Sequence, residues 1–179
     1  MKSAAHLVVV AALVVAPAMA LGAEAPHHAF VGPKKCRMCH DTDQSGMQYT
    51  KWKEGPHAKA FATLTSDKAK EFGKAKGIAD PSKDAKCLKC HVTAYGLPAA
   101  IQGKKFAETD GVTCESCHGA GADYYEEETM KDKAKAQAAG LVLPDEKTCK
   151  GCHNEESPSY KNFDFASFSQ KIAHPMPKK

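Results

Sequence analysis

The chain has 179 residues and a formal net charge of +4, with 25 lysine and arginine residues against 21 aspartate and glutamate residues. Apolar residues concentrate in the first 20 positions, and no later stretch is long enough to cross a membrane as a helix. The remainder is rich in lysine, poor in large apolar side chains and contains one tryptophan. These features exclude a membrane-spanning domain and a domain built around a conventional apolar core.

The N-terminus has the pattern of a secretory leader. Lys2 precedes an apolar stretch over residues 7–15, and the small residues Ala18 and Ala20 flank Met19. We predict a signal peptide over residues 1–20 and a mature domain over residues 21–179. Removal of Lys2 with the leader lowers the formal charge from +4 to +3. The mature protein is therefore expected outside the cytoplasm, in the periplasm or secreted.

Every cysteine belongs to one of four copies of the pattern Cys-x-x-Cys-His. Two thiols one helical turn apart can add to the two vinyl groups of a haem, and the adjacent histidine offers a ring nitrogen to the iron. Four copies predict four covalently attached c-type haems. The predicted attachment residues and iron ligands are Cys36, Cys39 and His40; Cys87, Cys90 and His91; Cys114, Cys117 and His118; and Cys149, Cys152 and His153.

Eight cysteines in an exported chain have two other common uses, namely four disulfides and two four-ligand zinc sites. Neither explains a histidine directly after each second cysteine in all four pairs, so the pattern favours haem. Eight haem propionates and four ferric centres would bring the mature protein to a net charge of about −1. The basic sequence therefore indicates neither a nucleic acid nor a membrane surface as a partner.

The spacing of the motifs bears on the fold. Successive first cysteines are 51, 27 and 35 residues apart, which excludes a tandem repeat of one unit. The mature chain offers only about 40 residues per haem, so the haems themselves must form the core. We expect a mostly α fold with extensive loops, a small single-domain multihaem cytochrome whose core is four packed c-type haems.

Helix signals occur between the motifs, in the following chain order. Pro56 suits the first position of a helix that places His57 on the same face as Phe61. A lysine-rich, solvated helix is predicted over residues 68–76, and at most a short strand pairing over residues 92–101.

Two further helices are predicted towards the C-terminus. A polar surface helix over residues 126–139 ends at Gly140. An amphipathic segment that contains Phe163, Phe165, Phe168 and Ile172 ends at His174, just before Pro175. Aromatic side chains at this spacing indicate packing, here against a haem.

Four histidines lie outside both the leader and the motifs, namely His27, His28, His57 and His174. Their number equals that of the predicted irons. If all four bind, every haem has two histidine ligands and is low-spin with a low reduction potential. His27 and His28 are adjacent, so we expect one ligand and one bystander there and favour His28. The fallback thioether ligands are Met47, Met130 and Met176.

Several segments carry a family resemblance. They are residues 32–36 before the first motif, Trp52 with residues 56–60, residues 111–119 around the third motif, and the phenylalanine-rich segment before His174. In these segments and in the order of its motifs, the chain resembles the tetrahaem cytochrome c-554 family. The resemblance covers essentially the whole mature sequence. It implies a haem-packed, mostly helical protein with closely stacked haem pairs that passes electrons between soluble partners.

The resemblance also implies a set of iron ligands. It pairs His57 with His118 at the third haem and His174 with His153 at the fourth. It leaves the second haem, on His91, without a sixth protein ligand. In the family the first haem takes a histidine shortly after the third motif, where this chain has only Asp123 and two tyrosines. His27 or His28 is the natural substitute.

The functional prediction is an electron carrier between redox protein donors and acceptors, because no constellation of acid, base or nucleophile is visible in the sequence. One alternative is a haem enzyme that reduces or oxidises a small nitrogen compound at an open second haem. Another is a subunit of an extracellular conductive filament, which would self-associate through the N-terminal histidines.

Overall fold

The computed structural model describes residues 28–178, so the predicted leader and His27 lie outside the described residues. Short α-helices alternate with long loops, and none of the described helices is long and apolar enough to cross a membrane. The α-helices are α1 (Pro33–His40), α2 (Gln48–Glu54), α3 (Ala60–Leu64), α4 (Asp67–Ala75), α5 (Ala85–His91), α6 (Cys114–His118), α7 (Glu127–Met130), α8 (Lys133–Ala138), α9 (Glu146–Lys150) and α10 (Phe165–Ile172). Short 3₁₀ helices cover His57–Lys59, Ala99–Ile101 and Glu108–Asp110.

The Cys-x-x-Cys-His motifs coincide with helix ends. Helices α1, α5 and α6 each end at the histidine of their motif, while the fourth motif begins in α9 and continues into the following turn. A helical turn places the two cysteines and the histidine of one motif on the same face. Local structure thus presents the three side chains together.

The helix predicted at Pro56 is present in two parts. Pro56 precedes a single 3₁₀ turn that contains His57, and α3 follows directly. The lysine-rich helix is α4, which begins after Ser66, whose hydroxyl accepts a hydrogen bond from the amide of Ala69. The aromatic segment forms α10, which the carboxylate of Asp164 caps by accepting from the amide of Ser167.

The single helix predicted over residues 126–139 is wrong, because the structure divides this segment into α7 and α8. Asp132 has an extended backbone, and its carboxylate accepts hydrogen bonds from the amides of Ala134 and Lys135. The aspartate therefore begins a new helix where the propensity pattern continued the old one. Gly140, with a positive φ of 102°, follows α8 near the predicted position.

The strand pairing predicted over residues 92–101 does not form within that segment. Among the described residues, the β contact there is an isolated bridge between Phe30 and Gln102. The amide of Phe30 donates to the carbonyl of Ile101, and the amide of Gly103 donates to the carbonyl of Phe30, both at 2.7 Å. This loop therefore pairs with the segment that precedes the first motif.

The apolar core of the described residues is small. Leu64, Leu88 and Val92 are buried together beside the second motif, with Phe61, Tyr95 and Phe106 packed on them. The mostly α fold with extensive loops is confirmed. Packing of this size is consistent with a protein whose interior is completed by its cofactors.

Candidate haem-binding sites

All eight cysteines are free thiols, most of them partly buried. In residues 28–178 no group of three or more histidine, cysteine, aspartate or glutamate side chains converges as a metal cluster would. Each histidine instead accompanies its own pair of thiols at a helix end. Donor sets of this kind fit covalent attachment of a haem to two thiols, with one imidazole available to its iron.

Thiols of different motifs lie beside each other. The neighbouring Cys114 side chain lowers the pKa of the Cys36 thiol, and the same contact together with burial raises the pKa of Cys114. Burial, with Cys90 adjacent, raises the pKa of Cys152 to about 11. The structure therefore brings the first motif to the third and the second motif to the fourth.

The third and fourth motifs also lie close enough for their thiols to influence each other electrostatically. Burial raises the pKa of the Cys117 thiol, and the nearby Cys149 thiol adds to this effect. The Cys117 thiol in turn contributes to the raised pKa of Cys152. The four motifs are thus arranged in the spatial order first, third, fourth, second, which differs from their order in the sequence.

Two pairs of histidine rings lie close together, one edge-on with an interplanar angle of 63° and one tilted by 40°. The ring centroids of His57 and His153 are 6.1 Å apart, and those of His118 and His174 are 5.9 Å apart. Because metal–imidazole bonds are about 2.0–2.1 Å long, two imidazoles on opposite sides of one metal ion have centroids about 6 Å apart. Each pair therefore has the spacing of two imidazoles that share one iron.

These ring distances differ from the pairing that the resemblance implied. The structure brings His57 to His153 rather than to His118, and it brings His174 to His118 rather than to His153. The backbone of His57 does contact the segment before the third motif, because its carbonyl accepts from the amide of Val112 at 3.1 Å. The ring, however, is turned towards the fourth motif.

The C-terminal segment crosses from one motif to the other. Phe163 stacks on the His153 ring with centroids 4.8 Å apart and an interplanar angle of 18°. Phe168 lies 6.2 Å from the same ring. Helix α10 thus packs at the fourth motif, and the chain beyond it carries His174 to the third.

Nδ1 contacts orient three of the four motif histidines. Nδ1 of His91 donates to the carbonyl of Ala60 at 2.7 Å, and Nδ1 of His118 donates to the carbonyl of Val142 at 3.0 Å. Nδ1 of His40 contacts the side-chain oxygen of Gln48. A histidine that binds a metal through one nitrogen commonly donates its other N–H in this way. These contacts leave Nε2 available to iron.

Burial favours the metal-binding form of three of the four paired rings. Loss of solvation lowers the pKa values of His57, His118 and His153. A second nearby imidazole, His153 for His57 and His174 for His118, lowers them further. Since only a neutral imidazole has a free nitrogen lone pair, these rings are ready to act as ligands.

The structure also identifies residues that sequence reasoning missed. Glu115 occupies the first unspecified position of the third Cys-x-x-Cys-His motif. It is 3% exposed, and its carboxylate accepts hydrogen bonds from three backbone amides. Asp123 contacts Nδ1 of His28. No residue pattern marked Glu115, whereas Asp123 stood out only as the residue found where the family has a histidine.

A buried threonine connects the second and third motifs. The Thr93 hydroxyl donates to the carbonyl of Gly111 at 3.0 Å and accepts from the amide of Thr113 at 2.8 Å. It also lies 2.7 Å from the Ser116 hydroxyl. This network holds the residue two positions after His91 against the start of α6.

Comparisons with known proteins match this chain to one family. Residues 35–119 match the family model described as cytochrome c554 and c-prime. Over 176 residues the chain is 34% identical to cytochrome c-554 of Nitrosomonas europaea, covering 88% of this chain and 71% of that protein. The fold is similar to the solved structure of reduced cytochrome c554 from the same organism, with a TM-score of 0.54 and 26% identity over 82% of this chain and 79% of that one.

Proposed function

The chain belongs to the cytochrome c554 family, and we propose that it carries electrons between exported redox proteins through four closely packed, mainly bis-histidine c-type haems. Family membership makes it a small multihaem c-type cytochrome and an electron carrier with covalently attached haems. The leader predicted over residues 1–20 supports a periplasmic or secreted location. The number of haems and the residues that hold them follow from the four motifs.

We assign the eight motif cysteines to covalent attachment, and His40, His91, His118 and His153 to proximal iron ligation. Helix ends present each set together, and Nδ1 contacts orient three of the four imidazoles. When bound, the haems supply one-electron redox chemistry. The protein contributes the positions, the second ligands and the exclusion of water.

The observation that carries the proposal is the contact between thiols of different motifs. Cys36 lies beside Cys114, and Cys90 lies beside Cys152. Because each thiol marks the edge of its own macrocycle, neighbouring thiols place neighbouring haems edge to edge. A row of four sites in the order first, third, fourth, second follows, and short gaps favour electron transfer along it.

The two ring pairs support the same function at the centre of the row. The His57 ring lies beside His153 of the fourth motif and the His174 ring beside His118 of the third, so these pairs would hold the fourth and third haems. Rigid ligation by two imidazoles keeps iron low-spin in both oxidation states, which limits the structural change when an electron arrives. The central sites are therefore suited to transfer electrons rather than to bind a substrate.

The second site, on His91, lies at one end of the row. In the enzymatic alternative, the small nitrogen compound would bind at this site. Among residues 28–178, the His57 and His174 rings adjoin the fourth and third motifs, and His28 contacts Asp123 after the third motif, which leaves no spare histidine assigned to His91. We propose five-coordinate iron there. A high-spin ferric signal from one haem, abolished by cyanide, would support this assignment, whereas a fully low-spin protein would contradict it.

A comparison of two deletions in the holoprotein tests the row. Cys87→Ala with Cys90→Ala removes a terminal haem, and Cys114→Ala with Cys117→Ala removes an internal one. After rapid mixing with less than one equivalent of reductant, electrons should redistribute at the wild-type rate among the haems left by the terminal deletion. The internal deletion should slow exchange with the first haem by at least tenfold. Equal rates in both variants would contradict the order.

A further inference from the structure

The segment that precedes the first motif is held against the third motif by one buried carboxylate. Glu115 accepts hydrogen bonds from the amides of Val31 and Gly32, each at 2.8 Å. It also accepts from the amide of Gly121, again at 2.8 Å. Charge-assisted bonds from three amides to one buried carboxylate define the relative position of the two segments. The first segment carries His28 and the second carries Asp123.

A direct backbone contact continues this alignment. The amide of Ala122 donates to the carbonyl of Ala29 at 3.0 Å. The residues next to these two are His28 and Asp123, and Nδ1 of His28 contacts the Asp123 carboxylate. A β-carbon added at Gly140 would lie 3.4 Å from Cδ2 of the His28 ring, an ordinary van der Waals distance, so the ring packs close to the backbone after α8. The position of His28 thus results from several independent contacts.

The contact with Asp123 leaves Nε2 of His28 available. A carboxylate that accepts the Nδ1 proton fixes the tautomer and orientation of an imidazole and raises its basicity as a metal ligand. The motif histidines His91 and His118 use carbonyl oxygens for the same purpose. His28 therefore has the environment of an oriented ligand.

The segment around Asp123, which His28 contacts, packs against the first motif. The Lys35 ammonium lies 4.2 Å from the centre of the Tyr125 ring, so the segment after Asp123 packs on α1 beside Cys36. The third and fourth sites already have two imidazoles each. His91 of the second site is tied to Ala60, at the opposite end of the row.

We propose that His28 is the axial ligand opposite His40 at the first haem, and that Asp123 is the positioning residue that orients its ring. The inference deepens the proposed function and rests on it, because the first motif must carry a haem. It gives this chain a first-haem ligand from its N-terminal segment, where the family uses a histidine after the third motif.

The decisive variant is His28→Met in the holoprotein, with His27→Met as its matched control. A thioether in place of one imidazole keeps iron six-coordinate but raises its reduction potential. Redox titration should therefore show one of the four midpoints shifted upwards in His28→Met and none shifted in His27→Met. Unchanged midpoints in His28→Met, or a shift in His27→Met alone, would overturn the proposal.

A second variant tests the role of Asp123 and covers a failure of His28→Met to incorporate haem. Asp123→Asn keeps an oxygen that can accept the Nδ1 proton but removes the negative charge. The first haem should remain low-spin in paramagnetic resonance while its midpoint rises. Asp67→Asn, at the exposed start of α4, serves as the control and should shift no midpoint. If the midpoint of the first haem did not shift in Asp123→Asn, Asp123 would have no positioning role towards His28.

Two measurements separate this inference from the proposed function. Pyridine haemochrome analysis of the wild-type protein should give four haems per chain, and a lower count would contradict the function itself. Size-exclusion chromatography with spectra of the monomer should show the first haem low-spin in a single chain. If that haem became low-spin only in assemblies, its ligand would come from another copy and the inference would be wrong.

Discussion

The imidazole rings of His57 and His153 have centroids 6.1 Å apart, although His57 lies shortly after the first motif and His153 completes the fourth. The ring of the C-terminal His174 in turn lies 5.9 Å from that of His118 in the third motif. The early and late parts of the chain are therefore brought together at these histidines. Replacement of His57 or of His174 should change the spin state of one specific haem. Separate removal of each haem identifies which one it is.

Replacement of His57 by alanine should convert the fourth haem from low-spin to high-spin. The ring would no longer complete the pair with His153, and alanine offers no ligand. Paramagnetic resonance of the ferric protein should show one additional high-spin haem, with the count of covalent haems unchanged.

Deletion of attachment sites identifies the affected haem. In a protein that lacks the fourth haem through Cys149→Ala and Cys152→Ala, His57→Ala should add no high-spin signal. In one that lacks the third haem through Cys114→Ala and Cys117→Ala, the signal should still appear. The reverse pattern would restore the pairing of His57 with His118.

Replacement of His174 by alanine should have the complementary effect on the third haem. His174 lies beyond α10, and its ring faces His118. The additional high-spin signal should disappear when the third attachment site is removed and persist when the fourth is removed. Lys178→Ala, near the C-terminus, is the control and should leave the spin states unchanged.

Glu115→Ala should lower the free energy of unfolding by about 3 kcal/mol, because three backbone amides lose a charged acceptor in a buried position. Glu115→Gln should cost less, since its oxygen can still accept from Val31 and Gly121 while its amide group opposes Gly32. Denaturant unfolding of the ferric holoprotein, followed in the haem absorption band, measures both.

The control for Glu115 is Glu54→Gln at an exposed position. Its effect should lie within about 0.5 kcal/mol. A similar small loss in Glu115→Ala would show that the three amides find other partners.

Thr93→Val should lower the free energy of unfolding by about 2 kcal/mol. Valine has nearly the same shape, but it leaves the buried amide of Thr113 without its acceptor. The exposed Thr65→Val variant, whose hydroxyl bonds to Ala62, should change the free energy by less than about 0.5 kcal/mol. Equal effects at Thr93 and Thr65 would contradict the role of the buried network.

Asp164 should make the stability of α10 depend on pH. The amide of Ser167, which donates to its carboxylate, lowers the Asp164 pKa below the ordinary value of 3.8. Its stabilisation is therefore complete above the pKa of the unfolded chain and is lost as the pH falls through the lower folded value. An asparagine at this position would cap the helix at every pH without titrating.

The Asp164→Asn variant measures this contribution by difference. The wild-type protein should have its largest advantage in unfolding free energy above about pH 4, and the advantage should shrink as the pH falls below that. Denaturant titrations at neutral and acidic pH give the two differences. A difference that stays constant over this range would contradict the carboxylate's role.

Part of the fold was predictable because it depends on local chemistry. Pro56 and Asp164 mark helix starts through backbone geometry and capping, and the structure has helical turns after both. The helix predicted over residues 126–139 failed for a local reason too, since Asp132 can cap a new helix as readily as continue an old one.

The choice of ligand partners could not be predicted in the same way. The backbone of His57 is bonded next to the third motif, although its ring lies at the fourth. The segment that leads to His174 packs on the fourth motif, although the His174 ring lies at the third. Val112 holds the backbone of His57, and Phe163 of the C-terminal segment stacks on His153. Proximity in sequence or along the backbone does not determine which way a side chain points.

The chemistry of haem attachment is encoded in short stretches of sequence: two thiols and a histidine within five residues form an attachment site because one helical turn brings them together. The sequence alone did not specify which histidine faces which, or in what order the four sites adjoin. Those relationships arise in the folded chain, because they depend on long-range contacts such as Glu115 to Gly32 and on ring orientations that no local pattern encodes.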